Sequence, residues 1–232
     1  MANILSPYGF ARVDKVGGKD KQFTFKFPLQ CNAGGSSTLS SSLAAGDAVA
    51  FGAVSGGAGQ IQPLIPYSGT SAPVPAQIPL GIFVGVKYTD LQGNLINSQL
   101  WVANTQVKPG TVPVAIIDCD PQSVYAVQLS GPITAAQTNS VYSAAGLNAN
   151  MLSNSVGPNI NIKSSIMSLN VASLALASGA SNATSNYYQF KILGLANMPS
   201  TDPNNSWQDQ YPNVVGVFNN HVLKAGTLSV SN

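Results

Sequence analysis

A lone histidine, His221, and two cysteines, Cys31 and Cys119, are the side chains that suit thiol or imidazole chemistry in this sequence. A thiol activated by imidazole needs both groups within hydrogen-bond reach. No local pattern around either cysteine supplies that, and a single histidine at a strand end reads as structural. Asp118 and Asp120, with Asp90, could hold a hard cation through carboxylate oxygens, yet they stand beside proline and glycine, where aspartate forms turns. Gly56-Gly57-Ala58-Gly59 lacks both the third glycine and the following helix start of a phosphate loop, so it reads as a hairpin loop. Tyr187, Tyr188, Trp207 and Tyr211 could stack on a sugar, although packing in a core or interface is the commoner use of such rings. No catalytic, cofactor-binding or metal-ligating residue is assigned, and the chain reads as a non-enzyme.

Composition narrows the field further. Only 8% of the 232 residues are charged, against about 25% in an average soluble domain. All eight acids are aspartates, Arg12 is the one arginine, and the net charge is +2. Such a chain lacks the dense basic face that releases counterions on binding DNA or RNA, so no direct nucleic-acid contact is expected. Coiled coils draw on Glu, Lys, Arg and Leu, and disorder pairs low hydrophobicity with high net charge; a hydrophobic content of 44% with little charge fits neither. Pro7 and Gly9 break any signal-peptide helix, and the most apolar window, 166–177, falls short of the roughly 20 residues a membrane span needs. The expected setting is the cytosol of the cell that makes it, with both thiols reduced and no membrane contact.

The elements that must carry these residues are strands. Phe23, Phe25 and Phe27 alternate with Thr24 and Lys26, and Pro28 ends the run. Gly46-Asp47 opens a segment in which Val49 and Phe51 alternate with alanines. A stretch rich in Pro, Ser and Gly, 62–79, reads as an exposed loop or extended arm. The spacing then predicts a strand over 82–88 with Ile82, Val84, Val86 and Tyr88 on one face. After a turn at 89–94, the segment 99–103 pairs back around Trp101. Further strands are predicted over 112–118, 124–129, 159–166, 187–195 and 214–218, with local helix preference only over 135–145. About nine or ten strands imply a mostly β fold, an antiparallel β-barrel or sandwich with long Pro/Gly/Ser-rich loops. A second β-rich part begins near 131, either completing the body of 14–130 or forming a small subdomain over 131–232.

Taken together, several segments resemble the capsid decoration, or cement, proteins of tailed bacteriophages. They are Pro7-Tyr8-Gly9-Phe10-Ala11-Arg12-Val13, Gly46-Asp47-Ala48-Val49, and Gly81 to Tyr88 leading to Trp101. The series continues with the apolar strand ending at Asp118-Cys119-Asp120-Pro121, then Ile192 to Leu195, and finally Asn219-Asn220-His221. They keep one order from residue 7 to 221, while the Ser/Asn-rich stretch 139–186 and the scarcity of charge depart from the pattern.

The resemblance implies a virion protein on the outer capsid surface, made in the host cytoplasm. It would dock as a homotrimer on the major capsid protein and clamp neighbouring capsomers against the pressure of packaged DNA, with no cofactor. The alternative is a capsid fibre or a receptor- or glycan-binding β module. Residues 1–13 are expected to form a docking arm outside the core. Ile4, Leu5, Tyr8 and Phe10 would supply apolar contacts to the capsid, and Pro7 and Gly9 would keep the backbone extended and free to pair.

Overall fold

The computed structural model describes residues 8–16, 23–29, 42–52, 60–65, 78–133, 144–152, 165, 167–170, 173–176, 188–196 and 205–223. Among them lie sixteen strand segments and no α-helix: β1 (Ala11–Lys15), β2 (Thr24–Pro28), β3 (Leu43–Ala44), β4 (Ala48–Phe51), β5 (Ile61–Pro63), β6 (Gly81–Thr89), β7 (Leu95–Ser98), β8 (Leu100–Trp101), β9 (Val114–Asp118), β10 (Ser123–Gln128), β11 (Leu147–Ala149), β12 (Met151–Leu152), β13 (Ser168–Leu169), β14 (Ala175–Leu176), β15 (Phe190–Leu195) and β16 (Asn213–Phe218). Nine of them run four residues or more. The fold is mostly β and sandwich-like, with antiparallel sheets.

Sheet I has the order β1-β10-β16-β15-β11-β14. Sheet II has the order β2-β9-β6-β4-β5, with β7 also paired to β6. Sheet I takes strands from both sides of residue 131. Sheet II curls until the residue after β2 meets β5 in one parallel bridge, Leu29 to Ile61.

Strand alternation sorts the apolar residues into two cores. In β4, Ala48 and Ala50 face the first core while Val49 faces the second. The first core lies between the sheets and holds Tyr125 and Val127 of β10, Phe190 of β15 and Phe218 of β16. The second lies inside the curl of sheet II, around Phe83, Val86, Ala115, Ile117 and Trp101. Trp101 is held there by the short β3–β8 ladder, Leu43 opposite Trp101, and Tyr88 meets it edge-on at 5.3 Å.

The predicted face of β6 does not hold. Its register against β9 slips between Phe83 and Gly85, a bulge at Val84 that reverses the alternation. Ile82 therefore belongs to the first core, and Val86 to the second with Tyr88 packed against it. The return strand also differs: residues 95–98 pair with β6, and Leu100–Trp101 leaves to pair with β3. Gln62 and Pro63, read as loop, belong to β5, a sheet-edge strand in which the missing proline N–H is tolerated. The predicted helix over 135–145 and strand over 159–166 fall almost wholly outside the described residues.

Where the N-terminal segment is described, it is part of the body. Phe10 is 3% exposed and its ring meets Tyr125, Phe190 and Phe218 at centroid distances of 6.3, 5.4 and 5.8 Å. β1 then pairs with β10, Ala11 opposite Ala126. Phe10 is thus a core residue rather than a capsid contact, because three aromatic neighbours already enclose it. Ile4, Leu5 and Pro7 lie outside the described residues. Replacing a buried Phe by Ala costs about 3–5 kcal/mol. Phe10→Ala is therefore expected to lower the unfolding free energy by that order, read as a lower urea midpoint at unchanged slope, and an unchanged midpoint would return Phe10 to the surface.

Candidate functional site

The residues with chemical potential are dispersed. Cys119 is a free, buried thiol whose sulfur lies 3.7 Å from the Ile117 carbonyl. Burial, with the Asp118 charge adding to it, pushes that thiol up to about 12, so it stays protonated at neutral pH and is no nucleophile. Cys31 lies outside the described residues. His221 is buried; its Nδ1 accepts the Leu223 N–H at 3.1 Å and its ring lies 5.9 Å from that of Phe218.

The aspartates divide in the same way. Asp118 stands opposite Ile82 at one end of β6, while Asp90 follows Thr89 at the other, eight positions or about 26 Å along the strand. Asp90 accepts the Asn94 side-chain amide at 3.1 Å and the Asn94 N–H at 2.7 Å, closing the β6–β7 turn, and the side-chain bond above all holds its carboxyl below the usual range. No group of three metal-ligating side chains occurs among the described residues. Asp118 instead meets the Arg12 guanidinium at 3.6 Å in a largely buried pair. Asp120 accepts the Gln122 N–H at 3.0 Å, shaping the turn that carries the chain from β9 into β10.

Gly56 to Gly59 lies outside the described residues, but it connects β4 to β5, which pair directly, Phe51 opposite Ile61. Trp207, offered as part of a sugar shelf, packs against the first core, and Tyr187 is not described. No helix among the described residues is long and apolar enough to cross a membrane.

A buried polar group that the sequence did not mark as a site joins distant segments. Asp47 is 5% exposed. One carboxylate oxygen accepts the Ala44 N–H at 2.7 Å and the other accepts a short hydrogen bond from the Ser165 hydroxyl, which in turn accepts the Met167 N–H at 3.0 Å. The adjoining peptides carry the junction outward. Phe10 N–H donates to Gly46 C=O at 2.9 Å, Gly46 N–H to Phe83 C=O at 2.9 Å, and Phe83 N–H to Asp47 C=O at 2.8 Å. Gly9 and Gly46 sit at φ +74° and +95°, where a side chain is strained. A Cβ on Gly9 would also strike Ser165 and come within 2.6 Å of the Gly46 carbonyl.

At the surface, four of the ten exposed large apolar side chains among the described residues lie along one border. β1 ends sheet I and β2 ends sheet II. Val16, after β1, and Phe23, before β2, both bond the segment joining β9 to β10, through Val16 N–H to Gln122 C=O and Cys119 N–H to Phe23 C=O, both 2.9 Å. Along this border Val13, Val16, Phe23 and Phe25 are 44–52% exposed. The sequence shows the phenylalanine row but not that its strand lies at an edge, which only the pairing partners decide. A shallow depression of about 250 Å³ also opens beside the β6 bulge, lined by Val84, Gly85, Ser98 and Ile116 among others.

Comparison with protein-family models, with curated proteins and with solved structures finds no match to this chain.

Burial raises the Asp47 pKa, and the Ala44 and Ser165 hydrogen bonds oppose that only partly. A carboxyl with a raised folded-state pKa contributes stability below its unfolded value of 3.8 and loses it as pH rises through the folded value. Stability measured against Asp47→Asn is therefore expected to turn against the wild type as pH climbs above about 4. Asp47→Ala strands two buried donors, at roughly 1–3 kcal/mol each. Urea titrations of the three proteins from pH 3 to 8 check both, and a pH-independent difference would remove Asp47 as the source.

Proposed function

We propose that this chain is a structural virion protein that decorates the outside of a phage capsid and cements neighbouring capsomers against packaged DNA. Its partners are the major capsid protein and further copies of itself, arranged as a homotrimer. The observation that carries this reading is where the family-like segments fall. Gly9-Phe10 and Gly46-Asp47 meet at one hydrogen-bonded junction, Gly81 to Tyr88 is the long strand shared by both cores, and Asp118 to Pro121 turns the chain between the sheets. Segments far apart in sequence thus act together as the framework of one body, as an inherited fold pattern does.

The physical properties of the body support the same role. A chain with few long charged side chains gives up little side-chain entropy when its surface is covered. Three linked copies turn several modest contacts into strong attachment, because each later contact is effectively intramolecular. Arg12, Asp47, Asp118 and Asp120 are drawn inside, so the surface carries still fewer ions than the composition suggests. Attachment then rests on apolar burial, backbone pairing and neutral hydrogen bonds.

This fixes the response to salt and heat. At 1 M salt the Debye length is about 3 Å, and occupancy on shells is expected to stay unchanged across an NaCl series, with sulfate tightening it. Undecorated particles are expected to release DNA several degrees before decorated ones on a thermal ramp. Loss of the protein at moderate NaCl would overturn the neutral attachment, and identical melting would overturn cementing. Copy number separates the alternative role, since a cement protein is present in hundreds of copies per particle and a receptor binder in few.

A further inference from the structure

The exposed face of β2 has a pattern that specifies its own partner. Phe23 C=O accepts the Cys119 N–H and Leu29 N–H donates to the Pro113 C=O, each at 2.9 Å, so the odd-numbered residues of β2 spend their backbone groups on β9. By strand alternation the N–H and C=O of Thr24 and Lys26 point the other way. Among the described residues that side is met only past Pro28, where Leu29 bridges Ile61 of β5, and no strand pairs there with Thr24 or Lys26. Phe25 is 48% exposed and touches Phe27 at 6.3 Å, which leans on Phe51 at 5.5 Å.

We infer that this edge pairs with the same edge of a second copy, antiparallel about a two-fold axis through Phe25. The sequence Phe23-Thr24-Phe25-Lys26-Phe27 is nearly a palindrome about that residue. Placing Phe25 opposite Phe25 of the other copy sets Thr24 opposite Lys26 twice, and all four outward donors and acceptors of each strand are then used. Phe25 meets its counterpart as a non-hydrogen-bonded pair, the geometry in which facing side chains are closest. Phe23 falls opposite Phe27 on both sides, giving three cross-strand aromatic pairs. The charges select the same register: a shift centred on Lys26 would set the two ammonium groups directly opposite each other, which is destabilising. Pro28 has no N–H to offer, so the ladder stops there. The contact is small against the 1,200–2,000 Å² of a stable interface, which makes it a weak, reversible association. It does not depend on the capsid reading.

The test uses the full chain. Phe25→Cys places two sulfurs across the axis at a Cα separation of about 4.5 Å, within disulfide range. Leu95→Cys on β7, 68% exposed in the parent, is the control for random collision. Under mild oxidation the first variant is expected to give a covalent dimer at least tenfold faster, with peptide mapping finding the 25–25 link. Equal rates, or a link elsewhere, overturn the inference. Hydrogen exchange of the unaltered protein gives an independent reading. The Thr24 and Lys26 amides are expected to slow as concentration rises from about 1 to 500 μM, and rates that do not depend on concentration overturn it. A three-copy species in sedimentation with those amides unprotected would support the homotrimer and overturn the edge pairing, so the two ideas fail separately.

Discussion

Four stretches of chain meet at one buried residue, Asp47, and the glycine before it. Asp47 holds the peptide that leads into β4 through Ala44, and holds residue 165 through its hydroxyl. The Gly46–Asp47 backbone meanwhile ties the N-terminal segment at Phe10 to the long strand at Phe83. A carboxylate taken out of water is costly unless hydrogen bonds replace its hydration. The donors that replace it here come from sequence positions as far apart as 44 and 165, so the group is satisfied only when the whole junction has assembled. That makes the junction a device for cooperativity. It also explains why glycine occupies positions 9 and 46: the backbones approach so closely that a side chain on Gly9 would occupy the space of Ser165.

The junction also marks the place where the two cores touch. β4 and the start of β6 lie between them, sending alternate side chains each way, and the bulge at Val84 lets β6 continue into the second core after Ile82 has served the first. Without the extra residue, strict alternation would turn Val86 and Tyr88 away from Trp101. A one-residue slip in a strand reverses every later side chain, so Val84 is as much a determinant of the second core as the aromatic residues in it.

Much of this was legible in the residues, and what was not has identifiable causes. The strands at 82–88, 112–118, 124–129 and 214–218 are found within a few residues of where alternation put them, because each is half- or fully buried and period two is a strong signal. Lys108-Pro109-Gly110 forms a turn, with Gly110 at φ +81°, the chemistry a Pro-Gly pair favours. The face of β6 was misread because a bulge leaves no mark in composition. Phe10 was misread as a docking residue because Pro7 and Gly9 suggest an exposed extended segment. In fact Gly9 supplies a left-handed bend that delivers Phe10 into a ring of three aromatics. Asp47 was read only as the opening of a strand because a lone aspartate after glycine looks like any turn, and its partner Ser165 is 118 positions away.

The scarcity of charge changes meaning once the interior is known. In a chain of ordinary composition, a buried Arg12–Asp118 pair and a buried Asp47 would be minor uses of a large supply; here they remove some of the few ions available. Their former work at the surface falls to Ser, Asn, Thr and Gln, and the same residues bind the interior. The Asn205 amide donates to the Ala196 and Asn213 carbonyls and accepts the Asn213 N–H, joining the ends of β15 and β16 without a charge. A sparsely charged surface gives up much of the repulsion between like-charged copies that ordinarily keeps proteins apart, so its exposed edges must be limited by geometry. Pro28 truncates the ladder available on β2, and the irregular register between Arg12 and Asp14 bends the border along β1, both recognised ways of restricting edge-to-edge association. What remains is a border short enough for reversible contact at most and too irregular for an indefinite sheet.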